Sequence, residues 1–215
     1  NSIFVFQNQD DLRFFLKKKI LNSLPYKIIR GSGVDIKKFK KKKTKKIYDL
    51  ILHSRLLIDK GIIELINAIL LLQKKNTFPK LLLLGNPDKK NRSTIERNQI
   101  LDWESKKILT WKKKVNNVIP YIQKSRISIL PSYREGLPKS LLESASCELP
   151  IIATDVPGCR EICINNFNGF LVPPKDYKSI SKAIEKLLTN QDLINKFGKN
   201  SRKLEIGRAS CRERV

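Results

Sequence analysis

Short apolar runs alternate with longer amphipathic stretches along most of the chain. Tyr48 to His53, Lys80 to Leu84, Ile127 to Leu130, Pro150 to Ala153 and Phe170 to Val172 are rich in Ile, Leu and Val. Such runs, bounded by Gly, Pro or polar residues, read as strands buried on both faces. Ile62 to Leu72, Ser93 to Leu109, Pro120 to Lys124, Asp176 to Leu188 and Gln191 to Leu204 read as helices, with Asp176 at the start of one and Gly198 inside another. A further helix opens at Pro138, because proline is favoured in a first turn. Strand, loop and helix in regular succession predict an α/β fold with a parallel sheet. Ahead of it, Ser2 to Phe6 and Tyr26 to Ile29 read as strands and Asp10 to Leu21 as a helix, leading into the turn Gly31-Ser32-Gly33-Val34-Asp35.

Two loops carry candidate chemistry. In an open parallel sheet, ligands lie beyond the carboxyl ends of the strands, so the loop Ser54 to Gly61 points Arg55 and Lys60 to where a diphosphate would lie. An Arg fork grips phosphate at two points, and Lys adds a compact charge. After Ile127 to Leu130 the chain reads Pro-Ser-Tyr-Arg-Glu-Gly-Leu-Pro-Lys-Ser-Leu-Leu-Glu, which sets Glu135 before a helix start and Glu143 inside the helix. Backbone N–H groups at Gly136, Leu137 and Lys139 converge there, where a helix offers unpaired donors and the positive end of its dipole to an anion. The spacing keeps the two carboxylates off one helical face. One is expected to meet a reacting or sugar group, the other to accept from hydroxyls elsewhere on the same ligand. Each feature alone has a plain reading, a solvated basic loop or a glutamate paired with a lysine.

Together with Thr-Asp-Val-Pro-Gly-Cys-Arg-Glu, residues 154–161, this stretch resembles the Glu-x7-Glu signature of the retaining GT-B glycosyltransferases of family 4, also called group 1. The flanking words are similar to those of the bacterial branch that builds capsule, O-antigen and other lipid-linked surface polysaccharides. The resemblance implies a Rossmann-like C-terminal donor-binding domain over residues 47–204, preceded by a remnant of the N-terminal acceptor-side domain (1–36) and a lysine-rich linker (37–46). It implies a retaining transfer of sugar from a nucleotide-diphosphate sugar, with UDP the expected nucleotide, to a glycan or lipid-linked acceptor. Arg55 and Lys60 would hold the diphosphate with the amides of Gly136 and Leu137. Glu143 would accept from the ribose hydroxyls, and Glu135 would contact the transferring sugar and steady charge developing at its anomeric carbon. Gly33, Gly85 and Pro138 are further candidates at turns facing the cleft. No metal is expected, since cationic side chains and helix amides can take its place.

The resemblance also implies a glycine opening a base-contacting loop near Thr110 to Val115, where this chain has Thr-Trp-Lys-Lys-Lys-Val. Trp103 and Trp111 could stack on a base or glycan, but aromatic residues in α/β domains more often pack. The positioning histidine of the family belongs to the first domain. His53, the one histidine here, is read as a satisfied, half-buried imidazole.

Charge adds partners to the picture. The net charge is +24, and eight lysines crowd residues 37–46. That cluster predicts peripheral contact with an anionic membrane at about 1 kcal/mol per lysine, although AT-rich coding produces the same bias toward Lys, Ile and Asn. A basic nucleic-acid binding protein rests on charge alone, with no recognition motif beside it. A non-catalytic nucleotide-sugar binding module is the other alternative. Cys147, Cys159, Cys163 and Cys211 have neither metal-ligand nor disulfide spacing. No apolar run approaches the roughly 18 residues that cross a bilayer, so a cytoplasmic protein, peripheral at the inner face of the membrane, is expected. Methionine is absent, position 1 included, which suggests a missing N-terminal end. The arginine-rich stretch 205–215 reads as a foreign tail outside the fold.

Overall fold

The computed structural model describes residues 3–21, 24–29, 33–88 and 90–212, the side chains of 209–212 excepted. Six parallel strands form the main sheet: β3 (Tyr48–His53), β4 (Leu81–Leu84), β5 (Leu109–Lys112), β6 (Ser125–Leu130), β7 (Ile151–Thr154) and β8 (Gly169–Val172). Their order is β5-β4-β3-β6-β7-β8. The chain therefore winds outward from β3 to one edge, returns to the middle at β6, and winds to the other edge. This doubly wound order opens a crevice at the switch point between β3 and β6, beyond the carboxyl ends of the strands.

Burial explains why short apolar runs suffice. Leu50 and Leu52 of β3 join Leu83 of β4 and Ile127 of β6 in a core shared with Leu65 and Ile69 of α2 (Ile62–Gln73) and Ile180 and Ile184 of α6 (Tyr177–Leu188). Ile51, one residue out of phase, faces the opposite side with Leu82 and with Ile122 of α4 (Ile119–Gln123). On that side Leu130 and Ala153 pack with Leu141 of α5 (Lys139–Ser146). Both faces are covered, so side chains of either parity along a strand are apolar. Each such Leu or Ile contributes about 1.5–3 kcal/mol on burial, against about 0–1 kcal/mol for an exposed ion pair. The sheet core, not the many charges, holds the domain together.

Four elements differ from expectation, the first being the helix expected over Asp10 to Leu21, which is α1 (Gln9–Lys17) and ends before Lys19 at φ 54. The helix expected over Ser93 to Leu109 is α3, confined to Arg97–Ser105. Lys107 at φ 57 breaks it, and Leu109–Lys112 form the edge strand β5. Pro138 is the residue capping α5 and Lys139 its first helical residue. The last helix, α7 (Gln191–Arg212), does not stop at Leu204. Glu205, inside the expected tail, is buried, with Arg208 Nε 3.5 Å from its Oε1.

The first residues make a separate two-stranded parallel sheet, β1 (Phe4–Phe6) with β2 (Tyr26–Ile28), joined by α1 (Gln9–Lys17). Ile3, Val5, Phe14, Leu16, Leu24, Tyr26 and Ile29 are exposed there. Of the turn that follows, Gly31 and Ser32 lie outside the described residues, while Gly33 takes φ +70. The lysine-rich segment then runs along the amino ends of β3 and β6. Arg202 donates to the carbonyls of Ile36, Phe39 and Ser146, and Gln123 donates to that of Lys40. Lys46, exposed as a residue, lays its Nζ 2.9 and 2.8 Å from the carbonyls of Gln123 and Ser125. Burial holds that ammonium below its ordinary pKa.

Candidate active site

A cavity of about 660 Å³ opens at the switch point, lined among others by His53, Arg55, Gly85, Lys114, Lys139 and Glu143. Every lining side chain comes from a strand's carboxyl end, a loop following one, or the start of α5. Gly85 takes φ +146, and a Cβ there would overlap the carbonyl oxygen of Ser54, so only glycine lets the β4 turn press against the β3 loop. Arg55 reaches the rim, its side chain 64% exposed and its Nη1 3.2 Å from Asp88 Oδ2.

Lys60 and Glu135 do not line this cavity but meet on the two loops that continue from its lining residues Arg55 and Lys139. Lys60 Nζ lies 2.5 Å from Glu135 Oε1, with side chains only 17% and 12% exposed. Backbone geometry enforces the meeting. Gly61, at φ +69, ends the 3-10 turn Ile58–Lys60 against the backbone of Pro131. Tyr133 N donates to Asp59 O at 2.8 Å, and Ser132 Oγ donates to the same carbonyl at 3.0 Å. Tyr133 Oη donates to Glu64 Oε1 at 2.6 Å, which fastens the Glu135 loop to α2. Burial first, then Glu64, raises the Tyr133 phenol well above its ordinary pKa, so it stays a donor. Tyr133→Phe would leave Glu64 without that donor in a partly buried place, and about 1–3 kcal/mol of stability should be lost. Calorimetry checks this, at about 2–4 °C of Tm per kcal/mol. An unshifted Tm would mean the bond contributes nothing.

Glu143 sits one turn into α5, 13% exposed at its side chain, with Oε2 3.2 Å from His53 Nε2 and Oε1 4.0 Å from Lys139 Nζ. The amides of Gly136, Leu137, Lys139 and Ser140 have no hydrogen-bond acceptor among the described residues. They lie between the two glutamates, at the positive end of α5, and suit an anion.

The Glu135 loop is also held from outside the main sheet. Asn8 caps α1, accepting from Asp11 N at 2.8 Å, and donates to Gly136 O at 3.0 Å while 99% of its surface is hidden; its relative exposure is 1%. Arg134 pairs with Asp11 at 3.2 Å and Arg160 with Asp10 at 2.8 Å. Gly158, at φ +77, packs against the carbonyls of Glu135 and Gly136, where any Cβ would collide. That contact gives the Val-Pro-Gly word a structural purpose.

Arg55, Gly85 and Glu143 thus share one cavity, and Lys60, Glu135, Gly136, Leu137 and Pro138 form the adjoining loop pair. Gly33 lies in neither, although Val34 beside it packs, as Leu137 does, against the buried cluster that holds Leu141 and Val156. Trp103 is buried in the core, and Trp111 packs on that core while its Nε1 donates to Gly85 O at 2.9 Å. Neither lines the cavity. Lys114 and Val115 do, so the stretch that lacks the expected glycine still borders the cavity. His53 is fully buried rather than half-buried, at 7% exposure, and its partner is Glu143. This contact was missed in the sequence because the two residues lie 90 positions apart. Cys147, Cys159 and Cys163 are free and buried. Burial pushes the first two thiols up to about 12, so they are poor nucleophiles at neutral pH.

Residues 34–204 match the family described as Glycosyl transferases group 1. The capsular polysaccharide biosynthesis glycosyltransferase CapM of Staphylococcus aureus is 31% identical over 149 residues, 69% of this chain and 39% of that protein. The N,N'-diacetylbacillosaminyl-diphospho-undecaprenol alpha-1,3-N-acetylgalactosaminyltransferase of Campylobacter jejuni is 26% identical over 92% of this chain and 54% of its own length. The structure of Anabaena HepE in complex with UDP and glucose superposes with a TM-score of 0.80 at 17% identity, over 95% of this chain and 58% of that one, and shows a common fold. The chain spans about half the length, or less, of the curated relatives it matches.

Proposed function

Because this chain belongs to the glycosyl transferase group 1 family, we propose that it is the donor-binding part of a retaining, family 4 enzyme. That enzyme moves a sugar from a UDP-sugar to a surface-polysaccharide or lipid-linked acceptor in bacteria. The observation that carries this reading is the meeting of Lys60 with Glu135, next in sequence to the amides of Gly136, Leu137, Lys139 and Ser140 that have no acceptor among the described residues, on loops continuous with a cavity lined by Arg55 and Glu143. The diphosphate would take the amides, Lys60 and Arg55, the last swinging from Asp88. The ribose would lie toward Glu143 and the sugar toward Glu135. As the glycosidic bond breaks, positive charge grows at the anomeric carbon and negative charge on the departing diphosphate, and these groups oppose each in place. This set supplies cations and amides where a divalent metal would otherwise neutralise phosphate, and no cluster of three or more metal-ligating side chains occurs among the described residues. The acceptor class is drawn from the names of the relatives.

Residues 1–36 fit the remnant of an acceptor-side domain. Parallel sheets are ordinarily covered on both faces, yet β1 and β2 leave apolar side chains exposed on both. The rest of such a domain would cover them.

A thermal-shift series with UDP-, GDP- and ADP-sugars tests the donor assignment. Stabilisation by UDP-sugars at concentrations where the others do nothing is expected, since bound ligand adds RT ln(1 + [L]/Kd). Equal or absent shifts with all three would contradict it.

No helix among the described residues is long and apolar enough to cross a membrane. We read the exposed lysines of residues 37–45 as a peripheral anchor for anionic lipid. They lie at the amino ends of the strands, so the cavity would open away from the bilayer. Changing Lys37, Lys38, Lys40, Lys42, Lys43 and Lys45 to Gln should abolish co-sedimentation with phosphatidylserine vesicles at low salt, and unchanged co-sedimentation would reject the anchor.

A further inference from the structure

We infer that His53 is a positioning residue for donor recognition, holding the Glu143 carboxylate so that one of its oxygens is presented to the ribose. This inference rests on the reading of Glu143 above and adds to it a residue that acts through Glu143.

His53 is the last residue of β3, at the switch point, so its side chain arrives where β3 and α5 face one another across the cavity. The ring is 6% exposed and the Glu143 side chain 13%. A carboxylate so far from water needs donors in place. Among the described residues, His53 Nε2 at 3.2 Å is its one partner within hydrogen-bond reach, Lys139 being 4.0 Å away on a largely exposed side chain. An ionised carboxylate only accepts, so this contact fixes the ring with its proton on Nε2. It also occupies Glu143 Oε2 and leaves Oε1 for other donors.

Two vicinal hydroxyls of a ribose are such donors. Without His53 the carboxylate is free to rotate about its last torsion, which is broad and nearly two-fold. The preformed acceptor is then lost, together with its discrimination between a ribose and a sugar lacking those hydroxyls.

The test compares the binding of UDP and 2′,3′-dideoxy-UDP by titration calorimetry. The protein is the full 215-residue chain and its His53→Leu, His53→Gln, Glu143→Ala and His53→Leu/Glu143→Ala variants. Wild type should prefer UDP, and Glu143→Ala should bring the two affinities close together. His53→Leu should weaken UDP by about tenfold, the scale of a lost hydrogen bond to a charged group, and leave dideoxy-UDP nearly unchanged. His53→Gln, whose amide can donate to Glu143, should restore part of the preference. The double variant should be no worse than Glu143→Ala alone.

If Glu143→Ala keeps the preference for UDP, the ribose role of Glu143 fails and the inference falls with it. If Glu143→Ala loses the preference while His53→Leu keeps it, the inference alone is overturned. A merely structural role for His53 predicts equal weakening of both nucleotides and also overturns it. Should His53→Leu not fold, His53→Asn, whose shorter amide cannot span the gap, takes its place with the same readings.

Discussion

Gly61→Ala is expected to lose about 3 kcal/mol of stability or more, and with it UDP binding. Two effects add. A residue with a Cβ at φ +69 carries about 1–2 kcal/mol of strain, and the new methyl would overlap the Pro131 carbonyl, which is backbone and cannot rotate away. Relief requires the 58–61 turn and the Glu135 loop to separate. Their separation breaks the bonds of Tyr133 and Ser132 to Asp59 and draws Lys60 off Glu135. At about 2–4 °C per kcal/mol the Tm should fall by roughly 6–12 °C, measured by calorimetry on the purified variant. A variant as stable as wild type, still binding UDP, would show that this close approach matters little.

Lys60→Ala should have an effect of similar size, through a different route. Removing one partner of a shielded ion pair leaves the other charge unmatched, at about 3–5 kcal/mol, and Glu135 is only 12% exposed at its side chain. The same change removes a cation from the diphosphate, so UDP affinity should fall by at least tenfold. The companion Lys60→Met/Glu135→Leu separates the two losses. It should recover most of the stability, because an apolar pair of similar volume can replace a buried ion pair, yet bind UDP no better than Lys60→Ala. If the double variant recovered nucleotide affinity as well, Lys60 would be a scaffold residue and not a phosphate ligand.

The sequence showed the parallel sheet wherever a strand is buried on both faces. Tyr48–His53 was readable to the residue because all but its first two positions are buried, and Ile127 to Leu130 falls within β6 for the same reason. β5 was not, since an edge strand of Leu-Thr-Trp-Lys with one buried position reads like the frayed end of the helix before it. The site divides in the same way. Arg55, Lys60, Glu135 and Glu143 stand in motifs, so spacing and resemblance single them out. His53 with Glu143, Tyr133 with Glu64 and Asn8 with Gly136 stand 90, 69 and 128 positions apart. No local pattern records such pairs, because the fold alone creates them. Gly61 and Gly158 have the same origin, being demanded by carbonyls brought from distant loops.

A crystal structure of the chain soaked with UDP tests most directly whether these groups form one place for one ligand. The prediction is diphosphate oxygens within hydrogen-bond distance of Lys60 Nζ and the amides of Gly136 and Leu137, with a ribose hydroxyl on Glu143 Oε1. UDP bound elsewhere, or absent from this cavity at saturating concentration, would contradict it.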